Sequence, residues 1–239
     1  MKKDYPIYIF TDFDGTITND DIGDEIFKTF GQFEPFNTQL KAGKLNIKDY
    51  WVAVCKTLKP NLTEQDIINF ALKADVDPWF TKFSDFCQKN NYPLTIISDG
   101  FSNYIIPILE KLNLAHIPVF SNYLTFKNNS ITPHFPFASE SCNCLCASCK
   151  RNAMLTQIPI DTVTIFIGDG YSDFCIAQHS DLIFAKNDLA RFCVENKIPH
   201  HHYKTFFDII RIIDSVLSKK KLKPRNQAIQ LRQKAYEIE

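Results

Sequence analysis

The sequence predicts an α/β fold, in which a parallel sheet carries helices on both faces and an all-helical segment interrupts the alternation. Three short apolar runs, at residues 7–10, 92–97 and 163–167, have the length and hydrophobicity of strands buried on both faces. Helical patterns separate these runs, and such alternation is typical of a parallel sheet. Ligands bind such sheets at the carboxyl ends of the strands, so we expect the functional residues directly after each run.

The first apolar run leads into two carboxylates. Asp12 and Asp14 follow residues 7–10, and Gly15 and Thr16 then mark a sharp turn. An unpaired carboxylate is costly to remove from water, so a buried strand seldom ends in two of them. A bound divalent cation would remove that cost. A surface turn rich in Asp and Gly is the alternative for this motif taken alone.

The other two apolar runs also end in acidic, glycine-containing motifs. The run at 92–97 leads into Ser98-Asp99-Gly100. The run at 163–167 leads into Gly168-Asp169-Gly170-Tyr171-Ser172-Asp173, and Lys150 opens a helical stretch shortly before it. If all three runs are strands of one parallel sheet, these side chains meet at one edge of it.

The four elements, in this order, resemble the haloacid dehalogenase superfamily in its phosphatase branch, and within it the phosphoserine phosphatase-like group. The motifs that carry the resemblance are Asp-x-Asp-Gly-Thr, Ser-Asp-Gly, the lysine and Gly-Asp-Gly-x-Ser-Asp. A Cys-x-x-Cys pair directly before Lys150 and the segment 185–193 are similar to one subgroup. That subgroup holds the methionine-salvage hydroxyketo-methylthiopentenyl phosphate phosphatases and the phosphoethanolamine/phosphocholine phosphatases.

The resemblance implies a Rossmann-like core and a role for each motif. Asp12 is expected to attack phosphorus and form an aspartyl-phosphate, and Asp14 to act as general acid and then as general base. Lys150 is expected to neutralise the charge of the phosphoryl group. The implied phosphate-binding residues are Ser98, Asp99, Gly100 and Lys150, and the implied ligands of Mg²⁺ are Asp12, Asp14, Asp169 and Asp173.

The domain organisation follows from where the helical segment falls. Residues 18–78 are predicted to be all-helical, and the family has a helical cap at this place between the first and second motifs. Residues 1–17 and 79–218 then form the catalytic core. Residues 219–239 form a basic C-terminal extension outside the resemblance, and we expect its removal to leave turnover nearly unchanged. A solvated tail and a contact between subunits are the two interpretations of this extension.

Two further segments of the second half carry predictions. The pattern at 119–134 predicts a strand, an Asn-rich turn and a returning strand, which we interpret as a small hairpin near the rim of the site. Three consecutive histidines at 200–202 cannot all face one metal ion on a strand, because alternate side chains point to opposite faces. They therefore favour an edge strand over a ligand site.

The composition excludes several classes of function. The 239 residues contain 27 basic and 27 acidic side chains, so no bulk attraction to nucleic acid or to an anionic membrane is implied. The apolar stretch before Asp12 is too short for a signal peptide or a membrane span, which predicts a cytoplasmic location. We expect a monomer or a homodimer. Four of the eight cysteines, Cys142, Cys144, Cys146 and Cys149, lie together. Buried thiols are favoured there over a structural zinc site.

The predicted activity is a magnesium-dependent phosphomonoester hydrolase for a small phosphorylated metabolite. Residues 18–80 contain no arginine, the side chain best suited to hold a carboxylate, and this argues against phosphoserine as substrate. Phosphoserine phosphatase, a phosphotransferase and a catalytically silent binding protein are the alternatives. A true dehalogenase is disfavoured, because that branch lacks an acid at the position of Asp14.

Overall fold

A computed structural model describes residues 4–127, 130–139, 144, 146–219 and 221–238. Within these residues, seven strands form a single sheet in the order β4-β3-β2-β1-β5-β6-β7. All neighbouring strands pair in parallel except β3 and β4, which are antiparallel. The strands are β1 (Ile7–Thr11), β2 (Leu94–Phe101), β3 (Val119–Lys127), β4 (Ser130–His134), β5 (Val163–Gly168), β6 (Leu182–Ala185) and β7 (His201–His202).

Helices connect the strands and cover the sheet. In chain order they are α1 (Ile22–Phe30), α2 (Phe36–Lys41), α3 (Ile47–Cys55), α4 (Glu64–Ala71), α5 (Phe80–Lys89), α6 (Ser102–Lys111), α7 (Lys150–Leu155), α8 (Phe174–His179), α9 (Asn187–Glu195), α10 (Phe206–Lys219) and α11 (Asn226–Ile238). A short 3-10 helix, Tyr171–Asp173, precedes α8. The predicted α/β class and parallel sheet are therefore confirmed.

The centre of the sheet is β1, which pairs with β2 on one side and with β5 on the other. These are the three strands that the apolar runs predict, and β5 is buried along its whole length. Because all three strands run in the same direction, their carboxyl ends lie at one edge. The three acidic motifs therefore meet there.

The helices inserted between β1 and β2 begin at local capping signals. Asp21 and Asn46 accept hydrogen bonds from the backbone N–H groups of Asp24 and Asp49, at the starts of α1 and α3. Thr63 forms a capping box with α4. The buried faces of these helices join the hydrophobic core of the sheet in one continuous cluster, in which the Trp51 ring packs edge-on against Phe101 at 5.0 Å.

The C-terminal extension is part of the folded core, which corrects the expectation of a solvated tail. Helix α11 packs against α8 and buries Ala228, Arg232 and Ala235. Arg232 donates hydrogen bonds to Asp181 Oδ2 at 3.0 Å and to the carbonyl oxygen of His179 at 2.8 Å. Arg232 therefore lies in a buried ion pair, while most of the other polar side chains of α11 face solvent.

Several boundaries differ from the predicted ones. Strand β2 continues through Ser98-Asp99-Gly100 to Phe101, with an irregular register against β3 after Ile97. The predicted hairpin at 119–134 is a continuation of the main sheet, because β3 pairs with β2 as well as with β4.

Two of the remaining predictions concern cysteine and histidine. The histidine run forms a short edge strand, β7, as predicted. The zinc alternative depends on Cys142, which lies outside the described residues, and on a loop described only in part. Within the described residues, no helix has both the length and the hydrophobicity that crossing a bilayer requires.

Candidate active site

Asp12 lies just beyond the end of β1, with its backbone held by the neighbouring strand. Its N–H donates a hydrogen bond to the carbonyl oxygen of Ile167 at 2.9 Å. Its carboxylate accepts a hydrogen bond from the N–H of Phe13 at 2.7 Å and lies 2.7 Å from Lys150 Nζ. The side chain is 5% exposed. Asp12 is thus a fixed and nearly buried carboxylate, and it lines the cavity described below.

Asp14 is oriented by two donors, one on each carboxylate oxygen. The N–H of Ile22, at the start of α1, donates to Oδ1 at 3.0 Å, and the hydroxyl of Tyr104 donates to Oδ2 at 2.6 Å. The close approach of Tyr104 requires glycine at position 100, because a Cβ there would overlap both Tyr104 Oη and Asp14 Oδ2. Gly100 of the second motif thus leaves the space in which Tyr104 binds Asp14 of the first motif.

Lys150 is buried at the start of α7, where its ammonium joins two carboxylates. Its Nζ lies 2.7 Å from Asp12 Oδ2 and 2.6 Å from Asp173 Oδ1. Burial acts to lower the pKa of Lys150, but Asp12, Asp173 and Asp99 act more strongly and raise it above its ordinary value. The lysine is therefore a permanent cation beside Asp12.

Asp169 and Asp173 complete an acidic cluster with Asp12. Their ligand oxygens and one from Asp12 lie within 4.8 Å of one another. Asp169 accepts a hydrogen bond from the Thr16 hydroxyl at 2.9 Å, while Asp173 Oδ2 accepts from the N–H groups of Asp169 and Gly170. Gly15 lies close to this cluster with φ +67°, and a Cβ there would stand 2.6 Å from Asp169 Oδ2. An all-oxygen donor set of this kind suits a hard cation such as Mg²⁺.

The acids of the site have perturbed pKa values. Burial, then repulsion by Asp173, raise the pKa of Asp12 well above its ordinary value, although Lys150 opposes the shift. Burial, then repulsion by Asp21, likewise raise the pKa of Asp14. For Asp169, burial and then Asp173 raise the pKa to about 6. A bound cation among these buried and crowded acids would offset the repulsion that raises their pKa values.

The Ser98 and Asp99 side chains of the second motif make hydrogen bonds to different parts of the chain. Ser98 is 1% exposed, and its hydroxyl oxygen accepts a hydrogen bond from the N–H of Gly100 at 2.9 Å. The Asp99 carboxylate, in contrast, is turned onto the backbone before α7: Oδ2 accepts from Ala147 at 3.0 Å and Oδ1 from Ser148 at 2.7 Å. All eight predicted site residues are brought together, but the Asp99 side chain is engaged with the protein itself.

Six of these eight residues, Asp12, Asp14, Ser98, Asp99, Gly100 and Asp169, line the floor of a cavity of about 330 Å³, whose opposite wall is made by the inserted helices. The wall carries Tyr50, Trp51 and Lys41, together with Asp21 and Asp24 at the start of α1. Asp188, on α9, lines the cavity from the core. Among the described residues that line the cavity there is no arginine. The indole N–H of Trp51 is buried with no hydrogen-bond partner. Phe33 and Phe36, two aromatic residues of the inserted segment, pack against the hydrophobic core and do not line the cavity.

Sequence patterns did not point to every residue of the site. Tyr104 lies on α6, and from its sequence position it reads as one more apolar helix residue. The sequence indicates only a turn at Thr16, yet its hydroxyl donates to Asp169, and Asp21, which caps α1, lines the cavity.

Comparisons with known proteins agree with this geometry. A family model described as haloacid dehalogenase-like hydrolase matches residues 9–178. The 2-hydroxy-3-keto-5-methylthiopentenyl-1-phosphate phosphatase of Brevibacillus brevis is 32% identical over 214 residues, covering 88% of this chain and 96% of that protein. The protein of the same name from Geobacillus thermodenitrificans is 29% identical over 214 residues, with the same coverage of each chain.

Solved structures show the same fold at lower identity. The phospho-aspartyl intermediate analogue of phosphoserine phosphatase superposes with a TM-score of 0.67 at 20% identity, over 88% of this chain and 99% of that one. Cytosolic 5'-nucleotidase IIIB bound to cytidine superposes with a TM-score of 0.55 at 15% identity, over 97% and 86%. With a family model that matches most of its length and a relative above 30% identity covered almost end to end, the chain belongs to the haloacid dehalogenase-like hydrolase family.

Proposed function

We propose that this protein is a magnesium-dependent phosphomonoester hydrolase that works through an aspartyl-phosphate on Asp12. The observation that carries the proposal is the pairing of two acids with different surroundings on one cavity floor. Asp12 lies against the Lys150 ammonium, whereas Asp14 is held by Tyr104 and Ile22. Two carboxyl groups in unlike environments are typical of a nucleophile and a general acid.

The two acids divide the reaction into two displacements. A carboxylate oxygen of Asp12 forms a bond to phosphorus while the bond from phosphorus to the leaving oxygen breaks, and Asp14 gives its proton to that oxygen. Burial, which raises the pKa of Asp14, supports its protonated form before this step. In the second displacement Asp14 takes a proton from water, whose oxygen attacks phosphorus. Inorganic phosphate leaves and the Asp12 carboxylate is regenerated.

Charge compensation comes from the rest of the floor. Lys150, Ser98 and the backbone N–H groups near Gly100 are proposed to hold the phosphoryl oxygens. The Mg²⁺ ligands are proposed to be the carboxylates of Asp12 and Asp169, the backbone carbonyl of Asp14, and Asp173 directly or through water. The ion would supply positive charge to the transferring phosphoryl group. The inserted helices are proposed to act as a cap that excludes water from the first displacement.

The finer proposal concerns the substrate, which we place among small phosphomonoesters without a carboxylate. The cavity lining supports this, because it holds the acids Asp21, Asp24 and Asp188, and the one cation among the described lining residues is Lys41. Without an arginine fork, a buried carboxylate would be left without a bidentate partner. The relatives above are named for an enol-type phosphate, and the structural neighbour for phosphoserine. An apolar or amine-bearing leaving group fits the aromatic and acidic wall better than serine.

The activity test uses the full chain after exhaustive treatment with EDTA. We expect no turnover of an aryl phosphate without metal, and recovery when Mg²⁺ is added. Asp12→Asn should lower turnover by about a thousandfold or more, because the amide cannot form an acyl-phosphate. Its thermal unfolding should stay cooperative, since the change removes a buried charge. Full activity of metal-free protein, or wild-type rates from Asp12→Asn, would contradict the proposal.

The substrate test compares specificity constants side by side. Phosphoserine, phosphoethanolamine, phosphocholine and an enol-phosphate are assayed with wild-type protein and Mg²⁺. We expect kcat/KM for phosphoserine to be the lowest by about tenfold or more, which corresponds to one poorly satisfied charge. A phosphoserine value above those of all the others would show that Lys41 or another cap lysine holds the carboxylate.

A further inference from the structure

Asp99 belongs to the second motif, for which the resemblance implies phosphate binding, yet its carboxylate binds the protein backbone. Both of its oxygens accept backbone hydrogen bonds, at 2.7 Å from the N–H of Ser148 and at 3.0 Å from that of Ala147. Its own carbonyl oxygen accepts a hydrogen bond from the Asn122 side chain at 2.7 Å. The residue is 9% exposed, and Ala147 and Ser148 are fully buried. Asp99 therefore ties the end of β2 to the segment that leads into α7.

That segment decides where Lys150 stands. Helix α7 has six residues and no side-chain cap at Cys149, so local sequence contributes little to fixing its first residue. A further contact at its entry is the N–H of Cys149, which donates to the carbonyl oxygen of Phe137 at 2.7 Å. Lys150 follows directly, and its Nζ reaches Asp12 and Asp173 within 2.7 Å.

We infer that Asp99 is a positioning residue, whose carboxylate fixes the backbone at residues 147–148 and so holds Lys150 against Asp12. This rests on the proposed function, in which Lys150 compensates the charge of the transferring phosphoryl group. A carboxylate is required because it accepts on both oxygens. An asparagine would turn its NH₂ group toward one of the two N–H donors, so one hydrogen bond would be replaced by a repulsive contact. Burial raises the pKa of Asp99 to about 6, which leaves the carboxylate ionised at pH 8.

The experiment is a double-mutant cycle of Asp99→Asn and Lys150→Met, measured at pH 8 with Mg²⁺ and an aryl phosphate. We expect Asp99→Asn to lower kcat by about tenfold or more while KM changes less than about twofold. In the Lys150→Met background the same change should cost less than about twofold, because the lysine that it misplaces is gone. Equal costs in both backgrounds, or a rise in KM with kcat unchanged, would overturn the inference.

A second readout does not depend on activity. Hydrogen exchange of the amides of Ala147 and Ser148 should accelerate in Asp99→Asn and stay at the wild-type rate in Lys150→Met. We call the contact of the Asp99 carboxylate with the N–H groups of Ala147 and Ser148 the Asp99 clamp. Unchanged protection of these amides in Asp99→Asn would refute the clamp, even if turnover fell. If wild-type protein hydrolyses no phosphomonoester, the proposed function fails, while accelerated exchange would still support the contact.

The matched control is Asp77→Asn. Asp77 is also a buried carboxylate that accepts two backbone hydrogen bonds, from Trp79 at 2.8 Å and from Phe206 at 3.0 Å, but it does not line the cavity. We expect this variant to lose stability while its Ala147 and Ser148 amides stay protected. If Asp99→Asn does not fold, Asp99→Ser retains one acceptor oxygen and replaces it in the cycle. Acceleration of these amides in Asp77→Asn as well would show that general loosening, not the Asp99 clamp, is measured.

Discussion

Tyr104 places a single hydroxyl group on a carboxylate of the proposed active site. It is buried on α6 and donates to Asp14 Oδ2 at 2.6 Å, in space that Gly100 leaves open. Burial, and then the negative charge of Asp14, raise the pKa of Tyr104 well above its usual range, so the phenol keeps its proton and remains a donor. Tyr104 thus fixes one oxygen of Asp14 and leaves the other to Ile22.

Replacing Tyr104 with phenylalanine tests this role. We expect Tyr104→Phe to lower kcat by about tenfold to a hundredfold, because a hydrogen bond to a charged group is lost while the ring is kept. The hydroxyl stabilises the ionised form of Asp14, so its removal should raise the pKa of Asp14 and move the alkaline limb of the kcat/KM profile to higher pH. The half-exposed Tyr123→Phe, which keeps its stacking on His134, is the control. An unchanged rate and profile in Tyr104→Phe would remove it from the site.

Helix α11 is the element whose role the sequence conceals. Arg232 enters a pocket between α8 and the sheet, where it meets Asp181 and also donates to the Thr164 hydroxyl at 3.1 Å. Tyr236 donates to the carbonyl oxygen of Leu155, at the end of α7, at 3.1 Å. The helix therefore contacts α7, which begins at Lys150, and α8, which begins directly after Asp173.

Breaking the buried ion pair of α11 should be costly. We expect Arg232→Met to lower the free energy of unfolding by about 3–5 kcal/mol, because Asp181 is left as an uncompensated buried charge. Lys234→Met, an exposed change on the same helix, should alter stability by less than about 0.5 kcal/mol. Denaturant unfolding of both variants measures the difference. Equal stabilities would mean that α11 lies free of the core in solution.

The stability of the whole molecule should depend on pH through groups that burial has shifted in opposite directions. Burial lowers the pKa of His179 to about 4 from 6.5, so the unfolded chain binds more protons than the folded protein between pH 6.5 and pH 4. This histidine therefore reduces stability as the pH falls through that window. Asp99 and Asp169, with pKa values raised to about 6 from 3.8, act in the reverse sense and reduce stability as the pH rises from 3.8 to 6.

A comparison of variants separates these opposing effects. Between pH 7 and pH 5, titration of His179 should lower the free energy of unfolding of the wild-type protein, and His179→Gln should lack this loss. The variant should therefore gain about 2 kcal/mol relative to wild type when the pH is lowered from 7 to 5. Denaturant unfolding at both pH values provides the measurement. Parallel pH dependence in the two proteins would show that His179 is not buried as a neutral ring in solution.

Local signals were enough for the central elements and for the motifs. The apolar runs at β1, β2 and β5, the caps at Asp21, Asn46 and Thr63, and the acidic residues after each strand are all readable within a few residues of the chain. Parallel pairing then brings the motifs together whatever the details of the helices. For this reason the predicted site residues of the three strand motifs converge, whereas Lys150, on α7, is placed by tertiary contacts with Asp12 and Asp173. The separate roles of all eight residues stay proposals.

Tertiary structure decided what depends on contacts distant in sequence. Nothing near Asp99 says that its carboxylate binds backbone 48 and 49 residues away, and nothing near Tyr104 says that it meets Asp14 across 90 residues. The polar sequence of α11 predicts a solvent-exposed helix, and only the contact of Arg232 with Asp181 shows that the helix packs on the core. Sequence by itself determined which strands exist and which acids follow them, because hydrophobic period and turn chemistry are local. The partners of buried polar groups were settled only by packing, because a hydrogen bond or ion pair in the core depends on which surfaces meet.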